Sequence, residues 1–314
     1  MSLLEQFSTR RLLVLGDVIL DRYWWGDSQR LSAEAPVPIV RIERTTVRAG
    51  GAANTAANLV SLGAAVELFG VVGADSAAAE LRGVVEGCGI ATALVEDAGR
   101  PTTTKTRIVA LHQQVVRVDR EETAGLPDAL VAETAARVQA GIKDGHGVVL
   151  SDYGKGFLTP GLVRQVIAAA KEQGVPSFID PKGADYEPYL GCSVLKPNRL
   201  ELGVLTRQPV RSHAETLAAG RGLRSLMPGT AILVTEGAEG MTWFSPDGGE
   251  DHVDPVVRQV FDVTGAGDTV LATVALAICA GAGPRRALEL ASRAASIVVG
   301  VIGTATVTRE QLGV

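Results

Sequence analysis

Short apolar runs rich in β-branched residues alternate with longer Ala-rich segments of helical period along most of the chain, and this alternation constrains the fold more than any other feature. Strands that follow one another through helices pair in parallel, because each parallel pair needs a crossover of a dozen or more residues. Candidate core strands are Leu12 to Leu15, Val66 to Val72, Gly147 to Leu150, Pro176 to Ile179, Val194 to Lys196 and Ala231 to Thr235. Candidate helices fall near Ala52 to Leu62, Ser76 to Glu86, Pro127 to Ile142, Pro160 to Gln173, Ala214 to Leu226, Gly267 to Ala280 and Pro284 to Val301. The pattern predicts an α/β fold with a central, mostly parallel sheet flanked by helices and closed by two consecutive helices. No Pro/Gly/Ser linker and no internal repeat divides the 314 residues, so a single domain over 1–314 is expected.

Two stretches interrupt the alternation, about 21–47 and 102–119. Both are strand-like without helices of their own, and strands inserted between β/α units read as a small β-sheet lid over one end of the core. Trp24, Trp25 and Val37 to Val40 would leave that lid an apolar face, which points to a homodimer through it.

Lys plus Arg number 30 against 35 Asp plus Glu, a formal net charge of −5, which argues against a whole-surface nucleic-acid partner. A small anionic substrate remains allowed where cations are local. The apolar segments Leu271 to Cys279 and Ala294 to Ile302 fall short of the ~20 residues a membrane span needs. The run after Arg10 and Arg11 stops at Gly16 and Asp17, before it makes a signal core. Cys88, Cys192 and Cys279 form no C-x-x-C pair, which fits a reduced, cytoplasmic setting. His112, His146, His213 and His252 have no helical ligand spacing, so no metal cluster is expected among them. Neither a P-loop nor a G-x-G-x-x-G is present, which weighs against a P-loop enzyme and a dinucleotide-dependent dehydrogenase.

The most informative segment is Asp262-Val263-Thr264-Gly265-Ala266-Gly267-Asp268, which opens an apolar helix. Backbone N–H groups of Gly265, Ala266 and Gly267 at the positive end of a helix suit a phosphoryl group carrying developing charge. Asp268, in the first turn, is placed either to take a proton from a hydroxyl or simply to cap the helix. Gly50-Gly51-Ala52-Ala53-Asn54 opens another helix and allows close ligand approach or tight helix–sheet packing. Asp17 and Asp21 follow the first strand, where paired carboxylates suit sugar hydroxyls and equally serve as turn residues. Lys196-Pro197-Asn198-Arg199-Leu200-Glu201 puts Asn198 and Glu201 on one helical face, as magnesium ligands through water or as a capping box. Thr235-Glu236-Gly237-Ala238-Glu239-Gly240 reads as a nucleotide edge or a plain turn. Lys105, Arg107 and Arg117 alternate along lid strands, as a substrate-phosphate grip or as solvated charges.

In this order, the GGAAN run, the N-x-x-E and the DVTGAGD segment resemble the ribokinase-like carbohydrate kinases, the phosphofructokinase B family, over essentially the whole chain. The stretches GDVILDRYWWGD, APVPIVRIE leading into RAGGAANTAANL, TTKTRIVALHQQVVRVDRE and LSDYGKGFL are similar to the family's heptose 7-phosphate kinases. In those, ATP phosphorylates D-glycero-D-manno-heptose 7-phosphate at its anomeric hydroxyl, toward ADP-heptose for the lipopolysaccharide core. Some relatives fuse this kinase to a nucleotidyltransferase with an H-x-G-H motif; none occurs here, so a stand-alone kinase is expected.

The resemblance implies Asp268 as base, with Gly265, Ala266 and Gly267 stabilising the transferring phosphoryl. It implies Asp17, Asp21, Gly50, Gly51 and Asn54 around the sugar, with Lys105, Arg107 and Arg117 on its phosphate. For ATP it implies Lys196, Asn198, Thr235, Gly237, Gly240, Thr264 and Ser296, with Asn198 and Glu201 serving Mg2+ through water. A monovalent cation near the DVTGAGD loop is left open. A family member acting on ribose, fructose or a fructose phosphate, and a non-catalytic sensor on the same fold, are the competing readings.

Overall fold

The computed structural model describes residues 2–111, 113–256 and 259–313. In chain order the strands are Arg11–Gly16 (β1), Val18–Leu31 (β2), Pro38–Gly51 (β3), Ala65–Phe69 (β4), Val71–Val72 (β5), Ala91–Thr92 (β6), Val95–Glu96 (β7), Thr104–Ala110 (β8), Gln113–Arg120 (β9), Gly147–Ser151 (β10), Ser177–Asp180 (β11), Val194–Leu195 (β12), Ala231–Thr235 (β13), Met241–Phe244 (β14) and Glu250–Val253 (β15). The helices are Leu3–Gln6 (α1), Ala52–Ser61 (α2), Ser76–Gly87 (α3), Asp128–Ile142 (α4), Pro160–Glu172 (α5), Arg199–Thr206 (α6), His213–Leu226 (α7), Ala266–Cys279 (α8), Pro284–Val298 (α9) and Arg309–Gly313 (α10).

The main sheet runs β15-β14-β13-β12-β11-β10-β1-β4-β6. Pairs from β13 to β6 are parallel, whereas β13–β14 and β14–β15 are antiparallel. The central strand shows why it reads as a continuous apolar run. Leu12 and Val14 enter a core shared with α2, α8 and α9, while Leu13 and Leu15 enter a second core shared with α4 and α5. A strand covered on both faces needs apolar side chains at successive positions. The helices between strands carry their own start signals. Asp75 and Thr159 accept from the backbone at the starts of α3 and α5, and Ser212 with Glu215 forms a capping box on α7.

The interrupting segments form one four-stranded sheet, β3-β2-β8-β9, in which β2–β3 and β8–β9 are antiparallel and β2–β8 is parallel. Its strands are longer than the sequence suggested, starting at Val18 and ending at Gly51. The Val66 to Val72 run divides at Gly70 into β4 and β5, and β5 pairs separately with β7. A side chain at Gly70 would stand 2.7 Å from Val18 Cγ1, so the chain bends where it has none. The last long helix stops at Val298, ahead of the expected Val301. Among the described residues, no helix is long and apolar enough to cross a membrane.

Candidate active site

The parallel strands β1, β10, β11, β12 and β13 finish at one end of the main sheet, and the candidate residues follow directly after them. Asp17 leaves β1, Asp152 and Tyr153 leave β10, Asp180 ends β11, Lys196 and Asn198 follow β12, and Thr235 ends β13. In open α/β sheets this carboxyl edge is where ligands bind.

Helix α8 points its first turn at the same place. Its cap, Gly265, has φ of 80° and no side-chain hydrogen bond, and a Cβ there would stand 2.6 Å from Asn54 Nδ2. Glycine is therefore required twice, for the left-handed backbone and for the close approach. The Ala266 N–H donates to the Val263 carbonyl at 3.2 Å, which removes it from the expected anion hole. Among the described residues no acceptor meets the Gly265 or Gly267 N–H, and Lys196 Nζ lies 3.6 Å from where a Gly267 Cβ would be.

Asp268 is buried at the third position of α8. Its Oδ2 accepts from Asn54 Nδ2 at 2.8 Å; its Oδ1 accepts from Tyr153 OH at 2.8 Å and Thr55 Oγ1 at 3.2 Å. Burial pushes the carboxyl above the usual carboxylate range, opposed by the Asn54 and Tyr153 hydrogen bonds, the Lys196 charge and the Thr55 hydrogen bond. The buried Lys196 Nζ pairs with the partly buried Asp180 Oδ2 at 3.0 Å, and desolvation raises Asp180 to about 7 despite that cation. A carboxylate held by three donors, with free amides and a lysine beside it, is equipped for hydroxyl deprotonation next to an anion.

Other predicted residues are placed differently. Asp17 accepts from the backbone N–H groups of Tyr153, Lys155 and Phe157 at 2.9, 3.0 and 3.1 Å, so it holds the 153–157 loop rather than presenting free oxygens. Asp21 is paired with Arg107, so an acid expected on the sugar and a cation expected on its phosphate hold each other. Gly50 and Gly51 make room for these acids: a Cβ would stand 2.4 Å from Asp21 Oδ2 and 2.3 Å from the Asp17 carbonyl, respectively. Lys105 pairs with Asp119 at 3.0 Å, and Arg117 with Asp119 at 2.9 Å. Asn198 and Glu201 close the capping box, each accepting the other's backbone N–H at 3.0 Å, while Glu201 Oε1 meets Lys182 at 3.2 Å. The Thr264 hydroxyl serves Asp262 at 2.7 Å, and the Ser296 hydroxyl returns to the Arg293 carbonyl at 2.7 Å, so both are used inside the protein. Thr235 takes its place through its N–H on the Pro197 carbonyl at 3.1 Å. Gly237, with φ of 62°, faces open space, whereas a Cβ at Gly240 would stand 2.1 Å from the Val253 carbonyl.

Tyr153, Thr55 and Asp180 were missed by the sequence reading. Tyr153 and Asp180 sit at the carboxyl ends of predicted strands, a placement that offered a signal for both. The expectation of no metal-type cluster also needs correcting. His213 and His252 come together around the buried Glu236, with ring centroids 4.6 Å apart. They lie on elements 39 residues apart in sequence, so helical spacing alone does not find them. His112 lies outside the described residues.

The pattern of the pfkB family carbohydrate kinases matches residues 9–311. The D-beta-D-heptose 7-phosphate kinase of Bordetella bronchiseptica is 44% identical over 98% of this chain and 96% of its own length. The bifunctional protein HldE of Paramagnetospirillum magneticum is 42% identical over 98% of this chain, which spans 63% of that longer protein. Arabidopsis thaliana ribokinase, solved with ribose and ATP, superposes with a TM-score of 0.76 at 22% identity, covering 96% of this chain and 97% of the other. The ribokinase likeness confirms the predicted α/β fold, and the family pattern, running through both sheets and the α8 loop, shows that the chain belongs to the pfkB family of carbohydrate kinases.

Proposed function

We propose that this chain transfers the γ-phosphoryl group of ATP to the anomeric hydroxyl of D-glycero-D-manno-heptose 7-phosphate. The product would be the 1,7-bisphosphate, on the way to ADP-heptose for the lipopolysaccharide core. The observation that carries phosphoryl transfer is Asp268, held by Asn54, Thr55 and Tyr153 in the first turn of a helix whose cap is bare glycine. The Bordetella kinase, alike over nearly its whole length, supports the heptose substrate.

Asp268 Oδ2 takes one donor, Asn54, and keeps a lone-pair position for the proton of an attacking hydroxyl. The Gly265 and Gly267 amides and Lys196 would face charge developing on the phosphoryl oxygens, and most of the rate gain would come from this positioning and neutralisation. Magnesium, bound with the nucleotide, neutralises phosphate charge. The oxygen donors of Asn198 and Glu201 fit a hard cation held through water, because Glu201 Oε1 meets only the half-exposed Lys182 among the described residues. Gly237 would line the nucleotide with open backbone.

The sugar phosphate would exchange with the acids that hold the lid cations, taking Arg107 from Asp21 and Lys105 and Arg117 from Asp119. Arg107→Ala should raise KM for the phosphorylated sugar at least about tenfold with little change for ATP, since a charged hydrogen bond is worth roughly 1.5–3 kcal/mol. Equal rises for both substrates would remove Arg107 from this role.

The lid also supports a homodimer. Trp24, Val37, Ile42 and Val116 line one apolar groove on its outer face, each more than a third exposed. Trp25 turns the other way, stacked on Tyr23 at 5.7 Å. Light scattering of the parent and of Trp24→Glu tests this, with a shift from two chains to one expected. For the reaction itself, purified protein is assayed with ATP and heptose 7-phosphate, ribose, fructose and fructose 6-phosphate. Preference for heptose 7-phosphate by kcat/KM is expected; preference for another sugar assigns a different member of the family, and ATP binding with no turnover on any of them favours a sensor.

A further inference from the structure

We propose that His213, Glu236 and His252 form a binding site for a borderline-soft dication of the zinc class, behind the turn assigned above to the nucleotide and distinct from the Asp268 centre. The three residues come from three parts of the fold: His213 is the first residue of α7, Glu236 follows β13, and His252 lies on β15. One ligating atom from each lies within 4.8 Å of the others. His213 Nδ1 is 3.0 Å from Glu236 Oε2, and His252 Nδ1 is 3.7 Å from Oε1. Tetrahedral zinc with bonds of ~2.0–2.1 Å sets its donors roughly 3.3 Å apart, so small side-chain shifts bring all three into range.

The arrangement has the anatomy of a site with one position open. The Glu236 side chain is fully buried and forms the floor, while the imidazoles of His213 and His252 are 39% and 31% exposed and form the rim. The Thr242 hydroxyl touches both Glu236 Oε1 and His252 Nδ1 and would orient the carboxylate behind the metal. Two imidazoles and one carboxylate suit zinc, nickel or copper, whereas magnesium prefers oxygen and water.

Arg199 is the competitor, with Nη2 on Glu236 Oε2 at 2.7 Å. It also holds both Glu239 oxygens, at 2.7 and 2.8 Å, so it keeps a partner when a cation takes Oε2. Glu236 and Glu239 against Arg199 leave one net negative charge among these three side chains to attract a dication. Bound metal would pin α7, β13 and β15 together behind the Gly237–Glu239 turn.

The test is zinc binding by the full chain, stripped with chelator and titrated against a chromophoric zinc indicator, with metal content and Tm read in parallel. One zinc per chain is expected, with a raised Tm, retained in Cys88→Ser, which removes the exposed thiol. His213→Ala and His252→Ala should each weaken binding at least about tenfold and reduce the Tm rise at a fixed zinc concentration. His252→Gln, which keeps a polar side chain but removes the imidazole, should do the same and guards against a folding defect. Absence of saturable zinc, unchanged affinity in the histidine variants, or loss in Cys88→Ser would each overturn the site.

Discussion

Helices α6 and α8 both begin at the carboxyl edge of the main sheet and both carry an acid at their third position, Glu201 and Asp268, yet they use it in opposite ways. Asn198 caps α6 and Glu201 folds back onto the Asn198 N–H, so the acid and the cap satisfy each other. Gly265 caps α8 and offers no side chain, so Asp268 turns outward to Asn54, Thr55 and Tyr153. The cap residue thus decides whether an acid in the first turn closes its own helix or is left for a ligand. A second contrast follows from burial: Asp268 is nearly inaccessible and raised, whereas Glu201 retains an oxygen toward solvent and Lys182.

The largest effect that could break this contrast is at the acid itself. Asp268→Asn should lower kcat by roughly 10² to 10⁴, with ATP affinity by calorimetry unchanged; turnover near the parent's would return Asp268 to a capping role. Next comes the cap. Gly265→Ala must place a Cβ against Asn54 in a left-handed conformation, and a displacement of that size costs on the order of 10² in kcat. Parent-like kcat in that variant would mean that Asn54 does not orient the base.

Asn198→Ala should cost about 1 kcal/mol of stability by denaturant unfolding as a lost cap, together with a rise in the magnesium concentration needed for half-maximal rate. A kcat loss as large as that of Gly265→Ala would show the two helix starts to be alike after all. A further effect, read against pH rather than in rate, concerns Asp152, beside Tyr153, which burial raises from 3.8 to about 6. A raised folded value means its stabilising contribution is complete below the unfolded value and is lost as pH rises through about 6. The Tm difference between parent and Asp152→Asn should therefore move in the variant's favour from pH 4 to pH 7. A pH-independent difference would place the Asp152 proton elsewhere.

The fold was legible because the constraint behind it is local. Leu12 to Leu15 must be apolar at every position to be covered on both faces, and the glycine and acid spacing of 262–268 is contiguous. The lid was legible as an interruption, though not its full length, since β2 and β3 extend into residues that read as turn and helix start. The partners of Asp268 were only half legible. Asn54 opens a glycine-rich helix, but Tyr153 reaches the base from 115 residues away through the sheet order. Strand β15 escaped notice because Glu-Asp-His-Val is polar, and an edge strand beside β14 needs little apolar surface. Its omission hid the pairing of His252 with Glu236. The lid cations announce in the sequence what they could bind, whereas Asp119, beside Lys105 and Arg117, and Asp21, beside Arg107, decide what holds them.

The way the four-stranded sheet is attached has a mechanical consequence. Only Asp17 separates β1 from β2, and β3 runs into α2 with no residue between. A hairpin anchored so tightly at both roots has no slack in which to flap, so any movement must bend the chain at Asp17 and Gly51. Those roots lie beside the 153–157 loop and the turn of α2 that presents Asn54 and Thr55, so tilting the clasp would tug on the donors that aim the aspartate.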